Sequence, residues 1–353
     1  MKSRPHRDAS AWLFRLSCVY ATVLAALVVL TLVGADRWWF GAMNLYLPQV
    51  MWVVPGALLL GFSLKFCRHW IWAPLLCVAV VLGPIMGFRW PLHSPQSPAG
   101  SLSLRVMTWN VKDGRHDKRA ESAIIHDIDR NTPDVVLFQD AANVLAGPLG
   151  DYFRKWHVRS SGQYIVASRF PLSEAEERWI SFPGQKQNCL RCQLQIGTAS
   201  ITLYNVHFKS PREGLNAFRT LKERPWYLPE AVQQLEDNVQ ARLIQACAIG
   251  AYLRQEQGPV IVAGDLNSSD ASLVCSKLRE SGLHDAFAEG GRGYGYTYGH
   301  YLLQNRLPWL TASWMRIDHV MMSAQLQTRS AWTGTWKASD HRPVIADLVV
   351  KLP

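Results

Sequence analysis

The sequence predicts an α/β layered domain preceded by an apolar helical segment, and three observations lead there. Residues 1–90 are dominated by Leu, Val, Ala and Trp, whereas residues 101–353 form an ordinary soluble mixture. The mean hydropathy of −0.04 therefore averages two different solvents. The C-terminal part then alternates short apolar, β-branched runs with helical patterns, as layered α/β domains do. Six of those runs meet Asn, Asp or His at one end.

Three apolar stretches precede residue 90. Leu16 to Gly34 carries no charge and approaches the ~20 residues that a bilayer requires. Further stretches run from about Leu45 to Leu64 and from about Trp70 to Phe88, and contain Pro55, Pro74 and Pro84. Membrane helices tolerate proline better than soluble ones. Trp38, Trp39, Trp70, Trp72 and Trp90 cluster near the proposed ends, as interfacial aromatics do. A cleaved signal peptide would explain the first stretch, with its basic Lys2, Arg4 and Arg7, but leaves the other two unexplained. Residues 1–90 are thus expected to be an anchor of about three transmembrane helices. PLHSPQSPAGS (91–101) reads as a linker, and 102–353 as the folded α/β domain.

The loops carry an orientation signal. Lys2, Arg4, Arg7 and Arg15 precede the first span, and Lys65 and Arg68 lie between the second and third. Asp36 and Arg37 cancel in the first loop. Positive-inside logic leaves the N-terminus in the cytoplasm. Three crossings then set the C-terminal domain outside, in the periplasm if this is a bacterial inner membrane. The same partition explains the net charge of +10: residues 1–100 hold eight Lys/Arg and two Asp/Glu, and the remainder 29 and 25. A pI near 9.4 is therefore weak evidence for nucleic acid.

The seven cysteines form no dense framework. Cys18, Cys67 and Cys77 read as apolar packing, and Cys247 and Cys275 as core. Cys189 and Cys192 form a C-x-x-C without the further ligands that zinc requires. A local disulfide between them would need an oxidising compartment.

The six runs with polar ends carry the chemistry. LRVMTWN ends at Asn110, DVVLFQD at Asp140 and ITLYNVH at His207. VIVAGDLN carries Asp265 and Asn267, RIDHVMM begins with Asp318, and SDHRPVIADLVV opens with Asp340 and His341. A single Asp after a strand is ordinarily a turn residue or helix cap. Six such ends instead predict convergence on one rim of the sheets. Helical patterns at Ser122–Arg130 and Leu235–Arg254 separate some of the runs. Asp and Asn oxygens suit Mg²⁺, Mn²⁺ or Ca²⁺ far better than zinc or copper, and two histidines remain for charge or proton work at a phosphoryl centre. The set contains no nucleophilic Ser or Cys elbow, which leaves water as the attacker.

TWN (108–110), DVVLFQD (134–140), NVHF (205–208), GDLN (264–267), RIDHVMMS (316–323) and SDHRPV (339–344) resemble the endonuclease/exonuclease/phosphatase, or DNase I-like, superfamily. The resemblance covers about residues 102–350, with the motifs in family order. It implies a four-layer α/β sandwich in which Asn110, Asp140 and Asp340 bind the metal. Asp265, supported by Asn267, would orient or deprotonate water. His207 and His341 would hold the phosphate, and Asp318 would fix the His341 tautomer. The expected activity is Mg²⁺-dependent hydrolysis of a phosphoester, with Mn²⁺ able to substitute. The expected substrate is a phospholipid head group, a nucleic acid or a small phosphodiester. Beyond that substrate and the membrane lipid around the anchor, no protein partner is expected.

One position departs from the family: Asp140 stands where the resemblance implies Glu. The shorter side chain sets its carboxylate back and weakens or hydrates metal coordination. A catalytically weakened binding or scaffold protein on the same fold is therefore the alternative reading. Lys112, Lys209 and Arg212 lie near the motifs and read as exposed, and Arg242 as part of a solvated helix face. Residues 210–235, with Pro225, Trp226, Tyr227 and Pro229, read as an aromatic knob facing substrate or lipid. The Gly- and Tyr-rich stretch 290–310 offers aromatics for stacking or support.

Overall fold

The computed structural model describes residues 4–91, 101–112, 118–301, 307, 309, 311–335 and 337–350. The linker reading of 91–101 falls largely outside the described residues, as does part of the loop 290–310. The chain divides into two compact units, Met1–Arg89 and Trp90–Pro353.

The first unit contains α1 (Arg4–Val33), α2 (Trp39–Tyr46), α3 (Val53–Phe66) and α4 (Trp72–Val80). Three helical stretches, Ser10–Val33, Gln49–Phe66 and Arg68–Ile85, are long and apolar enough to cross a membrane. Helix α2 lies between the first two and has no counterpart among the predicted spans. A small core of Tyr20, Leu24, Cys77, Val81 and Ile85 joins the helices, while most of their apolar side chains face outward.

The second unit is a DNase I-like α/β sandwich. Its strands are β1 (Ser103–Asn110), β2 (Val135–Gln139), β3 (His157–Ser161), β4 (Tyr164–Ser168), β5 (Glu176–Phe182) and β6 (Gln185–Ile196). They continue with β7 (Ala199–His207), β8 (Val260–Asp265), β9 (Leu283–Asp285), β10 (Asp318–Ser323), β11 (Leu326–Thr333) and β12 (Val344–Val350). Two six-stranded sheets result, ordered β11-β12-β1-β2-β4-β3 and β5-β6-β7-β8-β10-β9. β1–β2 and β7–β8 pair in parallel; the other neighbours are antiparallel.

Three cores define the layers. Val106, Leu137 and Leu348 of one sheet pack against Leu203, Ile261 and Val320 of the other. The first sheet also buries Trp109 and Phe138 against Ile124 and Ile128 of α5 (Lys118–Asn131). The second buries Tyr204 and Val262 against Ala246 and Ile249 of α8 (Leu228–Leu253), with Val274 and Leu278 from α9 (Leu273–Glu280). The helices α6 (Pro148–Tyr152), α7 (Arg212–Ala217) and α10 (Ala286–Gly290) complete the unit.

Several expectations change. α8 begins seven residues before the predicted Leu235, because Pro229 occupies its first turn, where a missing N–H costs nothing. Stretch 210–235 is accordingly α7, two 3₁₀ turns (Phe218–Lys222 and Pro225–Tyr227) and the start of α8. Cys247 is exposed, not core, and Cys275 is buried. Cys189 and Cys192 are both free and buried. Three residues apart on β6, they face opposite sides of the sheet, Cys189 towards the helices and Cys192 towards the other sheet. That geometry excludes a bond between them in this fold.

Candidate active site

Strand register brings the polar ends together. His207 is level with Asp265 across β7–β8, and Asp318 is level with Asp265 across β8–β10. Three strands therefore deliver His207, Asp265 and Asp318 in one row. Gly264 makes this row achievable. A Cβ there would lie 1.8 Å from the Val206 carbonyl oxygen, and its φ is +151°, so only glycine fits.

Asp265 Oδ2 is the hub of the site. Asn110 Nδ2, arriving from the other sheet, donates to it at 3.0 Å. His207 Nε2 lies 3.6 Å away and His341 Nε2 3.7 Å away. Those spacings exceed hydrogen-bond length, so both rings face Asp265 without being committed to it. The other oxygen of Asp265 accepts the Asn267 N–H at 2.8 Å. The Asn267 side chain donates to the Phe208 carbonyl at 2.9 Å, which fixes the turn beyond β8.

Each histidine is held from behind. Gln163 Oε1 lies 2.7 Å from His207 Nδ1, and Gln187 donates to the His207 carbonyl at 2.6 Å. His341 Nδ1 faces both Asp318 oxygens, at 3.1 and 2.9 Å. Burial opposes a charge on His341. Asp318, Asp265 and Asp340 outweigh it and raise the ring to about 9. Burial, then Asp318, pushes the Asp265 carboxyl above the ordinary range, against the pull of His341 and His207. The Tyr298 ring lies 4.7 Å from His341; burial raises its phenol, against the pull of the nearby Arg212 guanidinium.

The loop carrying Asp340 and His341 is tied to the end of β1. Ser339 Oγ donates to the Asn110 carbonyl at 2.8 Å, and Trp109 Nε1 donates to the His341 carbonyl at 3.0 Å. Lys112 contacts the Asp340 carboxylate through its ammonium, which lies 4.8 Å from the centre of the Tyr301 ring. Burial raises the Asp340 carboxyl, and His341 with Lys112 more than reverses this, leaving it below the ordinary value. Asn110 Oδ1 accepts the Lys112 N–H at 3.1 Å. The predicted exposed role of Lys112 is thus replaced by a half-buried ion pair at the site.

Asp140 follows β2 directly, one residue beyond Gln139, the register partner of Asn110. Its backbone is left-handed, with φ +51°, a conformation Asp tolerates better than most residues. It is half-buried, and no hydrogen bond to its carboxylate is found among the described residues. The Asp140 carboxylate, the Asn110 amide oxygen and the Asp340 carboxylate are all hard oxygen donors. That chemistry fits a hard divalent cation. Asp265, Asp318 and His341 also gather ligand atoms within 4.8 Å of one another. In that group the Nδ1 edge of His341 is already engaged by Asp318.

Polar residues beneath the site were not legible as such. Arg242 is fully buried rather than solvated and donates to the Lys209 carbonyl at 3.3 Å. Gln245, one turn along, accepts the Lys209 N–H at 2.8 Å. Both hold the turn after His207. Gln139 donates to Asn205 at 2.7 Å, a buried tie between the sheets. His319, next to Asp318, bridges Asp285 at 2.7 Å and the Ser268 carbonyl at 3.0 Å, linking β10 to the Asp265 loop.

The arrangement is that of a phosphoester hydrolase family, and the chain belongs to it: residues 107–341 match the Endonuclease/Exonuclease/phosphatase family. Among solved structures, it is similar to the endonuclease/exonuclease/phosphatase from Bacteroides vulgatus. That match has a TM-score of 0.55 and 17% identity, and covers 70% of this chain and 99% of that one. The mannosyl-6-phosphatase of Bacteroides thetaiotaomicron VPI-5482 gives 0.52 at 14% identity, covering 70% and 99%. Truncated Caenorhabditis elegans TDP2 gives 0.51 at 19%, covering 70% and 98%. At such identities the likeness speaks for the fold alone. No curated protein matches the sequence.

Proposed function

We propose that residues 102–353 form a metal-dependent phosphoester hydrolase, tethered by residues 1–90 as a membrane anchor. The observation that carries this reading is the convergence of Asn110, His207 and His341 on one oxygen of Asp265. In the proposed mechanism Asp265 accepts the proton of the attacking water. Asn110 and Asn267 hold its carboxylate in line. His207 and His341 direct their Nε2 edges at the phosphate, and Asp318 keeps His341 charged so that it stabilises the charge developing on the phosphoryl oxygens.

Asn110, Asp140 and Asp340 would hold Mg²⁺ or Mn²⁺, which supplies Lewis-acid polarisation of the phosphate. Lys112 must then release Asp340 in part, and its ammonium becomes free for an anionic substrate. The loop charges favour an orientation with the catalytic unit outside, which is the periplasm if the membrane is a bacterial inner membrane. The shortened Asp140 favours a second reading, a catalytically weakened binding protein with the same site.

The test uses the full chain in lipid nanodiscs with Mg²⁺ or Mn²⁺ and a panel of phosphodiesters and phosphomonoesters. Hydrolysis that falls about 10²–10⁴-fold in Asp265→Asn and His341→Ala supports the enzyme. Metal binding without turnover of any substrate supports the second reading.

A further inference from the structure

We propose that residues 218–229 form a lipid-docking knob that seats the rim of the active site on an anionic bilayer surface, making the substrate a lipid-headgroup phosphoester. The inference rests on the hydrolase and anchor readings above. Trp226 is 75% exposed and Leu228 40% exposed, between the exposed Pro225 and Pro229. No ring or cation contact to Trp226 is found among the described residues. Trp179, also exposed, has the Lys186 ammonium 4.4 Å from its ring centre. Arg219, Lys222 and Arg224 are exposed immediately before the aromatic tip, with Glu223 the acidic residue among them. An amphipathic indole beside several cations suits the headgroup layer of an anionic membrane.

The knob is braced and is continuous with the catalytic rim. α7 crosses α8 at Gly214, where a Cβ would come within 2.8 Å of Leu235 Cα. Gln234 of α8 donates to the Tyr227 phenol at 2.7 Å, so the tip rests on a helix. At the root of the same segment, which follows the end of β7 that carries His207, the Arg212 guanidinium acts on the Tyr298 phenol, whose ring lies 4.7 Å from His341. The segment that carries Trp226 thus leaves the fold beside the histidines. The apolar helices of the first unit keep such a surface close, which raises its local concentration for a weak contact.

Full-length protein, with the exposed Cys18 and Cys247 replaced by Ser, is labelled with an environment-sensitive fluorophore at Leu228→Cys. A control label at Thr198→Cys sits in the turn before β7, at the opposite end of that strand from His207. Both are placed in nanodiscs of phosphatidylcholine with 30% phosphatidylglycerol. Acyl-chain nitroxide lipid should quench the label at 228 at least about threefold more than that at 198. High salt, or Arg219→Gln/Lys222→Gln/Arg224→Gln, should reduce the difference. Equal quenching at the two positions overturns the proposal, whatever the enzyme hydrolyses. Trp226→Ala should lower turnover of headgroup phosphoesters about tenfold and leave a soluble diester unaffected. An equal fall on both substrates also overturns it. Absence of turnover on every substrate removes the hydrolase reading, and with it the substrate assignment, while the quenching result still decides the docking surface.

Discussion

Asp318 and His341 form a buried pair in which one imidazole nitrogen faces both carboxylate oxygens, at 2.9 and 3.1 Å. Their alignment makes the ring a cation over most of the accessible pH range. The folded His341 titrates at about 9, against an ordinary 6.5.

The first prediction follows from that shift. The charge on His341, proposed to hold the phosphate, is present below about 9, so kcat/KM should fall as pH rises through that value. Asp318→Asn should move this alkaline limb towards ordinary histidine values. Asp265, raised by burial and by Asp318, should set the acid limb, with activity lost as it becomes protonated. The stability the pair contributes has the same sign: complete below about 6.5, and lost as pH rises through about 9. Profiles of kcat/KM and of thermal midpoint against pH check both. An alkaline limb unmoved by Asp318→Asn would contradict the assignment.

Asp140→Glu should tighten divalent-cation binding. The longer side chain returns a carboxylate to the reach implied by the family resemblance, and the left-handed backbone at this position, φ +51°, limits the gain. An increase in Mn²⁺ affinity of roughly three- to tenfold, about 0.7–1.4 kcal/mol, is expected in a calorimetric titration. Weaker binding by the variant would place the cation elsewhere.

Lys112 and a bound cation draw on the same carboxylate. Lys112→Met should therefore raise Mn²⁺ affinity several-fold, while Asp340→Asn lowers it. If Lys112 also meets the substrate, the Met variant will show a higher KM despite tighter metal binding. Titration of the metal alone and steady-state kinetics separate the two effects.

Gly264→Ala should be among the most damaging small substitutions in the catalytic unit. The added methyl would lie 1.8 Å from the Val206 carbonyl oxygen, which forces β7 and β8 apart at the row of site residues. A loss of more than about 3 kcal/mol is expected, read as a large fall in the thermal midpoint. A variant with unchanged stability would mean that the backbone here relaxes cheaply.

The predicted site could be read because its residues end strands: apolar runs announce β1, β2, β7, β8, β10 and β12, and the polar residue at each end stands out against them. Strands β3, β5 and β6 are less legible, since each sets polar residues among the apolar ones, as in His157–Ser161 and Glu176–Phe182. Gln163, Gln187 and Tyr298 join the site through long-range contacts that no local pattern announces. Arg242 illustrates the converse. Its sequence neighbourhood suits an exposed helix face, and only the crossing of residues 207–210 over α8 buries it. Pro229 marks a first helical turn as readily as a loop, so the sequence pattern starts α8 later than the structure does.

The hydrogen bond from Asn110 to Asp265 joins one sheet to the other, and β12 lies between β1 and β11, far along the chain. A growing polypeptide that has completed β1 through β10 still lacks Asp340, His341 and the strand that pairs with β1 up to Thr108. On the proposed reading, a chain truncated before residue 340 should show no hydrolysis, because it lacks two of the site residues. The order of the strands thus withholds the complete site until the last strand of the unit has been made.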